Sequence, residues 1–142
     1  MSNVETAQRF VDHWNETGEP PWDALDPDVV FVIDPDSFVA GTYRGHDGIR
    51  TLLRLTAEVF DQFRYEVDEL VDLGESILAL GRIRVRGAQS GATGTQSGAW
   101  VIQVRDGMIV SYRSYLRREE ALEAAGLRSS RWCGRGDRPG AH

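Results

Sequence analysis

Apolar residues recur at helical spacing in several parts of the chain. Residues 3–17 place them every three or four positions, which predicts an amphipathic helix. A short second helix is predicted at 22–25, directly after a pair of prolines. The same periodicity predicts a third helix over Ile49–Phe63, opened by Gly45 or Asp47.

Elsewhere the apolar residues alternate with polar ones or run together, as they do in strands. The predicted strands are Val29–Ile33, Tyr65–Leu73, Ile77–Arg86, Ala99–Arg105 and Met108–Leu116. The Asp106-Gly107 pair indicates a tight hairpin between the last two of them. Residues 87–98 are rich in glycine and are predicted to form a connecting loop. Helices followed by a strand meander favour an α+β fold, with the helices on one face of a curved antiparallel sheet.

Composition limits the class of protein. The 142 residues suit one domain, expected over 1–127, and contain no apolar run long enough to span a membrane. The first residues do not form a signal peptide pattern, so a cytoplasmic protein is expected. The net charge is −6, but residues 128–142 carry four arginines and one aspartate, which leaves −9 for the rest. An acidic body argues against a nucleic-acid partner, and the basic tail is expected to be disordered.

Several kinds of chemistry are excluded by residue type. All 16 basic residues are arginine, so neither a Schiff-base lysine nor a phosphate-loop lysine is present. The single cysteine, Cys133, permits no internal disulfide. The three histidines show no metal-ligand spacing, and we therefore expect neither a metal site nor a cofactor.

Five short segments, taken in order, resemble the SnoaL-like branch of the nuclear transport factor 2-like superfamily. They are Gln8-Arg9-Phe10, Asp34-Pro35, Tyr43–Ile49, Asp106–Ile109 and Ala121–Leu127. The resemblance implies a cone-shaped, curved antiparallel sheet closed by N-terminal helices, the NTF2-like or cystatin-like α+β architecture. It also implies an internal pocket and a homodimer. Members include isomerases, cyclases, dehydratases and non-enzymes, so the fold does not decide the function.

The resemblance also suggests one catalytic residue. Ketosteroid isomerases of this superfamily carry an aspartate-proline at the end of the first strand, where the aspartate shuttles a proton, and Asp34-Pro35 matches it. Their two oxyanion donors correspond here to Phe10 and Trp100, which supply no strong donor, so steroid isomerisation is not expected. The alternative reading of Asp34 is a turn aspartate that accepts backbone N–H groups beyond the proline.

Strand alternation predicts which side chains share the pocket. If Asp34 points inward, residues two and four positions away on its strand should do so as well. The ligand-binding candidates are Tyr112, Trp100, Ser114, Trp14, Phe10 and Val32. For the aromatic members of this set, the alternative is that they fill the core.

The expected function is binding of a small apolar ring-bearing molecule. If the protein is an enzyme, Asp34 would act as the base in an isomerisation, cyclisation or dehydration that needs no cofactor. Tyr112 or Trp100 would donate a hydrogen bond to the oxyanion that forms. The alternative is a non-catalytic ligand-binding module or a dimeric scaffold. Arg82, Arg84 and Arg86 share one strand face, and the sequence leaves open whether they are solvated, face a dimer partner or line an anion pocket.

Overall fold

A computed structural model describes residues 2–126, which form three α-helices and a curved, open six-stranded sheet. The helices are α1 (Asn3–Thr17), α2 (Gly45–Val59) and α3 (Arg118–Ala124). The strands are β1 (Leu25–Ile33), β2 (Gly41–Arg44), β3 (Phe60–Asp72), β4 (Ser76–Gly87), β5 (Thr93–Arg105) and β6 (Met108–Tyr115). A 3₁₀ turn, Trp22–Ala24, leads into β1. These elements confirm the predicted α+β cone.

The sheet has the order β2-β1-β6-β5-β4-β3. Neighbouring strands are antiparallel except at β1 and β6, which run parallel with Phe31 opposite Tyr112. A parallel pair needs a long crossover, and here the whole segment from β2 to β5 provides it. The prediction of an antiparallel sheet therefore holds for every pairing except the one that joins the two ends of the domain.

Helix α1 matches its prediction because its ends carry strong signals. The Ser2 hydroxyl accepts from the Glu5 N–H while the Glu5 carboxylate accepts from the Ser2 N–H, which forms a reciprocal cap. Gly18 closes the helix in the left-handed conformation at φ 79°. The face that includes Phe10 and Trp14 is buried against the sheet.

Three differences from the prediction have the same cause. Helix α2 ends at Val59, because 60–63 pair with β4 as the start of β3. Strand β2 was not among the predicted strands, and the glycine-rich segment 93–98, predicted as loop, belongs to β5, where it pairs with 81–86. In each case pairing with a neighbouring strand overrides the local sequence pattern. Strand formation depends on such partners more than on the preferences of the residues themselves.

The sheet buries a different apolar layer on each face. The larger layer lies between the inner face and helices α1 and α2, and the smaller one lies under α3 on the outer face. The arginines of β4 extend from the outer face, where Arg82 pairs with Glu66 and Asp68 at 2.9 Å and Arg86 pairs with Asp61 at 2.7 Å. Arg84 pairs with Glu66 as well, and it lines an open groove together with Arg64 and Asp61. All three arginines thus have carboxylate partners within the chain.

Part of the sequence lies beyond this description. The predicted tail 128–142, with Cys133, is outside the described residues. Among residues 2–126, no helix is both long and apolar enough to cross a bilayer.

Gly81 allows β3 and β4 to approach closely at an irregularity in their pairing between Val67 and Glu69. A Cβ at Gly81 would lie 2.0 Å from the Glu66 carbonyl oxygen, so the strands would have to separate. We expect Gly81→Ala to lower the free energy of unfolding by about 3 kcal/mol or more, the upper end of overpacking costs. Urea unfolding measures this difference.

Gly94→Ala is the matched control in the same sheet. A Cβ there meets only a Val85 methyl group at 3.9 Å, so we expect a change below about 1 kcal/mol. Equal effects of the two substitutions would contradict the close approach at Gly81.

Candidate functional site

The inner face of the sheet and helices α1 and α2 enclose a small cavity of about 70 Å³. Its walls are mainly apolar and aromatic, with Trp14, Phe31, Leu52, Phe63, Ile83 and Trp100 among them. Within residues 2–126, none of the side chains that line it is an aspartate, glutamate, histidine or arginine. The cavity is therefore uncharged, and its chemistry depends on hydroxyl and indole groups.

A pair of tyrosines forms the most deeply buried polar group of the cavity wall. Tyr65 on β3 and Tyr112 on β6 are each 4% exposed, and their hydroxyl oxygens lie 2.8 Å apart. Desolvation raises the pKa of both hydroxyls above that of a free tyrosine. Both groups consequently stay protonated and neutral at physiological pH.

Aromatic rings hold this pair in place. The Phe31 ring stacks on Tyr112 with centroids 4.5 Å apart, and Trp100 meets Tyr65 edge-on at 5.2 Å. Phe10 contacts both tyrosine rings, at 5.5 Å and 6.2 Å. Tilted, edge-on and offset stacked arrangements are the favoured geometries of such rings, so the hydroxyls are fixed by close packing.

Asn15 fixes the backbone of Tyr65 from the other side. Its amide nitrogen donates to the Tyr65 carbonyl at 2.9 Å, and its amide oxygen accepts from the Tyr65 N–H at 2.8 Å. Asn15 lies one residue after Trp14 on α1. This pair of hydrogen bonds therefore ties the helix to the edge strand β3 beside the cavity. The side chain thereby sets the position of the tyrosine pair relative to α1.

Other hydroxyl groups also line the cavity. Ser114 accepts from the Asp34 backbone N–H at 3.1 Å, and Thr56 donates to the Leu52 carbonyl at 2.8 Å. Ser37, in the loop between β1 and β2, also reaches the cavity. Polar groups are thus present, but each is neutral.

Asp34 is buried, with 6% exposure, yet it does not line the cavity. Its Oδ1 accepts from the Asp36 N–H and its Oδ2 accepts from the Leu116 N–H, each at 2.9 Å. Both carboxylate oxygens are therefore bonded to backbone, as in the turn-aspartate reading. The carboxylate joins the end of β1 to the end of β6.

The structure brings four of the six predicted ligand-binding residues together. Trp14, Trp100, Tyr112 and Ser114 line the cavity. Phe10 lies behind this wall, 1% exposed, in contact with other aromatic rings.

Val32 lies elsewhere, which corrects the expected pocket face of β1. The residues of β1 that face the core are Leu25, Val29, Phe31 and Ile33. Val30 and Val32 instead line a shallow depression on the outer face. The expectation counted two positions back from a buried Asp34, but Asp34 lies beyond the strand, so its direction does not follow the strand alternation.

Tyr65 is the main residue that the prediction missed. A signal was available, since Phe63, Tyr65 and Val67 alternate along β3 and all pack against the main core. The predicted helix extended to Phe63 and concealed the start of this alternation.

The loop between β1 and β2 forms part of the cavity wall. Ser37 and Val39 reach the cavity, whereas Phe38 between them is 81% exposed and touches the Phe60 ring edge-on at 5.9 Å. The Tyr43 hydroxyl donates to the Val39 carbonyl at 2.8 Å, and Asp34 holds the other end of the loop. The loop is thus fixed at two points and carries an exposed aromatic ring beside the entrance.

Metal ligands are not clustered in this part of the molecule. Among residues 2–126, no three or more histidine, cysteine, aspartate or glutamate side chains are arranged to hold a metal ion.

The family follows from a match over most of the domain. The SnoaL-like domain family matches residues 7–112, from α1 to Tyr112 on β6. The chain belongs to the SnoaL-like family. A search of curated proteins found no match for this SnoaL-like domain.

Solved structures with the same fold include proteins from several sources. An NTF2-like protein of unknown function from Burkholderia pseudomallei K96243 is 26% identical with a TM-score of 0.74, over 87% of this chain and 97% of the other. TerC co-crystallised with polyporic acid is 20% identical with a TM-score of 0.71, over 87% of this chain and 98% of the other. A protein of ketosteroid isomerase-like fold from Catenulispora acidiphila, in complex with trimethylamine, is 14% identical with a TM-score of 0.70. The match covers 89% of this chain and 95% of the other.

The buried tyrosine pair makes stability depend on alkaline pH. In the unfolded chain a tyrosine loses its proton at about pH 10, whereas Tyr65 and Tyr112 keep theirs in the folded state because burial raises their pKa. The folded state then binds more protons, so the free energy of unfolding falls as pH rises above about 10. Each hydroxyl contributes up to about 1.4 kcal/mol per pH unit, and neither contributes a slope well below pH 10.

Urea unfolding between about pH 8 and pH 11 measures this slope. The control is the double variant Tyr65→Phe/Tyr112→Phe, in which the fall should be shallower because only Tyr43 and Tyr115 remain in residues 2–126. The same slope in both proteins would show that the pair ionises in the folded state.

Proposed function

We propose that this SnoaL-like protein binds one small, apolar, ring-bearing molecule in the cavity of the cone. The observation that carries the proposal is the wall itself, which combines aromatic and aliphatic side chains with a few neutral polar groups and no charged side chain among residues 2–126. Sites for small organic molecules have this composition. The two co-crystallised relatives give general support, since proteins of this fold bind small molecules.

The cavity must widen for this function. At about 70 Å³ it is smaller than the roughly 150 Å³ apolar cavity that accepts benzene in an engineered protein. Residues 35–40 would have to move between the two fixed ends of their loop, since they contribute Ser37 and Val39 to the wall, leave Phe38 in solvent and belong to no helix or strand. The core strands of the other walls are fixed by their pairing.

A second candidate is acid–base catalysis with Asp34 as the base, in an isomerisation, cyclisation or dehydration. Its support is the burial of Asp34 and the bond between its N–H and Ser114, which lines the cavity. For proton transfer, however, the carboxylate would have to leave the Asp36 and Leu116 N–H groups and turn inward. Binding without chemistry by Asp34 requires no such rearrangement.

The third candidate is a non-catalytic scaffold, with a homodimer as the assembled form. The small cavity favours it, since aromatic side chains fill most of the cone. The depression around Val30, Val32 and Val101 on the outer face is a partly apolar surface that a second copy could cover. A dimer can also bind a ligand in its cavity, so only a test of the cavity itself separates this candidate from the first.

Leu52→Ala tests the cavity with a neutral hydrocarbon such as indane. Leu52 is 3% exposed and lines the wall, so its truncation enlarges the space and should cost about 2–5 kcal/mol of stability. We expect indane to bind about tenfold more tightly to this variant than to the wild type, because the ring regains part of that lost contact. Titration calorimetry measures both affinities.

Leu25→Ala is the matched control, since Leu25 is 1% exposed but does not line the cavity. It should lose comparable stability without any gain in affinity. If neither the wild type nor Leu52→Ala binds indane, the cavity is not a ligand site and the scaffold candidate gains.

Asp34→Asn separates the binding proposal from the catalytic one. An amide keeps one acceptor but presents an NH₂ group to the other backbone N–H, so we expect a loss of about 1–3 kcal/mol in stability. The affinity for cavity ligands should change less than about twofold, since Asp34 does not line the wall. Asp36→Asn, an exposed carboxylate in the same loop, is the control for local charge. A large loss of affinity or turnover at unchanged stability would favour the catalytic candidate.

A further inference from the structure

We infer that the ligand of the cavity is a neutral molecule with a carbonyl oxygen on an apolar ring, and that the Tyr65–Tyr112 pair donates a hydrogen bond to that oxygen. The inference rests on the proposed function, because it specifies the chemistry of the same site. It follows from counting the protons and charges that the wall presents.

The tyrosine pair has one donor too many for its own partners. Two phenol groups carry two O–H protons, and the bond between Tyr65 and Tyr112 uses one of them. Within the described chain neither hydroxyl has another hydrogen-bond partner, although both side chains are 96% buried. A buried donor without an acceptor is costly, so a ligand oxygen that accepts this proton would be favoured.

The indole groups add donors of the same kind. Trp14 and Trp100 are each 5% exposed and line the cavity, and neither N–H has a hydrogen-bond partner within residues 2–126. An indole N–H can donate but cannot accept. Together with the spare tyrosine O–H, the wall thus has donors that no acceptor in residues 2–126 occupies, and a ligand with an acceptor oxygen would satisfy one of them.

Charge distinguishes a carbonyl from a carboxylate. A carboxylate ligand would also accept these protons, but it would lose its hydration without meeting any cation in the described wall. Asp34 is the one buried carboxylate in residues 2–126, and its N–H bonds to the lining residue Ser114. Its negative charge would disfavour an anion further. A neutral ketone or quinone oxygen fits these conditions.

The surrounding rings specify the rest of the ligand. Phe31, Phe63 and the two indoles are flat apolar surfaces, which suit an aromatic or alicyclic ring. Asn15 acts as a positioning residue, because its two bonds to the Tyr65 backbone hold the donor at a fixed distance from α1.

Indane and 1-indanone test the inference, since they share one shape and differ by a carbonyl oxygen. Calorimetric titration of the wild type should give about tenfold tighter binding of 1-indanone than of indane. In Tyr65→Phe/Tyr112→Phe the affinity for indane should be retained, and the preference for the ketone should fall to about twofold or less, the part that the indoles can supply. The anion indane-1-carboxylate should bind at least tenfold more weakly than 1-indanone to the wild type.

Each outcome bears on a different statement. Equal binding of indane and 1-indanone by the wild type would overturn the inference and leave the proposed function intact. A ketone preference that persists in the double variant would overturn the assignment to the tyrosines. If no probe binds to the wild type or to Leu52→Ala, the proposed function itself fails.

A second measurement does not depend on the stability of the double variant. The infrared C=O band of bound ¹³C-labelled 1-indanone should lie at lower frequency than in an alkane solvent, because a donated hydrogen bond weakens the C=O bond. A band at the alkane position in the wild-type complex would overturn the inference. Circular dichroism of the double variant establishes whether its titration reports on a folded protein.

Discussion

The parallel pairing of β1 with β6 is the constraint on which the rest of the structure depends. It joins the first strand to the last and places Phe31 directly against Tyr112. The same pairing brings the Asp34 carboxylate to the Leu116 N–H, across 82 positions of sequence. Without this contact the helical part and the meander would share no continuous sheet, and the cone would have no closed inner face.

The aromatic cluster beneath this joint has two effects that oppose each other. Rings from α1, β1, β3, β5 and β6 converge there and supply much of the buried apolar surface of the domain. The same rings leave only a small cavity, because close packing fills interiors to the density of organic crystals. A binding site in such a core depends on one movable side, and the loop of residues 35–40 has the fewest restraints from strand pairing.

Local signals predicted the elements whose ends are set by nearby residues. Helix α1 has a cap and a closing glycine, and the β5–β6 hairpin has Asp106 and Gly107 at positive φ. The strand at 93–98 has no such signal and is ordered by its pairing with 81–86 on β4. Trp100, Tyr112 and Ser114 line the cavity because inward alternation holds along β5 and β6, and Trp14 lines it from α1. Val32 does not line it, since Asp34, from which its direction was predicted, lies past the end of the strand.

The tyrosine pair could not be predicted as a pair. Its members are 47 positions apart, and their contact depends on the curvature of the whole sheet. The resemblance supplied Asp34, and strand alternation added Tyr112 and Trp100 as donors. The structure pairs Tyr112 on β6 with Tyr65 on β3, which was not predicted, while the Asp34 carboxylate accepts from backbone N–H groups.

Asn15 also restricts pairing at one edge of the sheet. An open sheet leaves two edges with unpaired backbone groups, which can recruit strands from other molecules. The β2 edge is only four residues long, whereas the β3 edge extends over thirteen. On β3 the Asn15 amide occupies the donor and acceptor of Tyr65 as a neighbouring strand would, and the pairing irregularity near Val67 bends the strand further along. One side chain on a helix thus occupies the backbone groups that an added strand would use, at the point where the most aromatic segment of β3 reaches the edge.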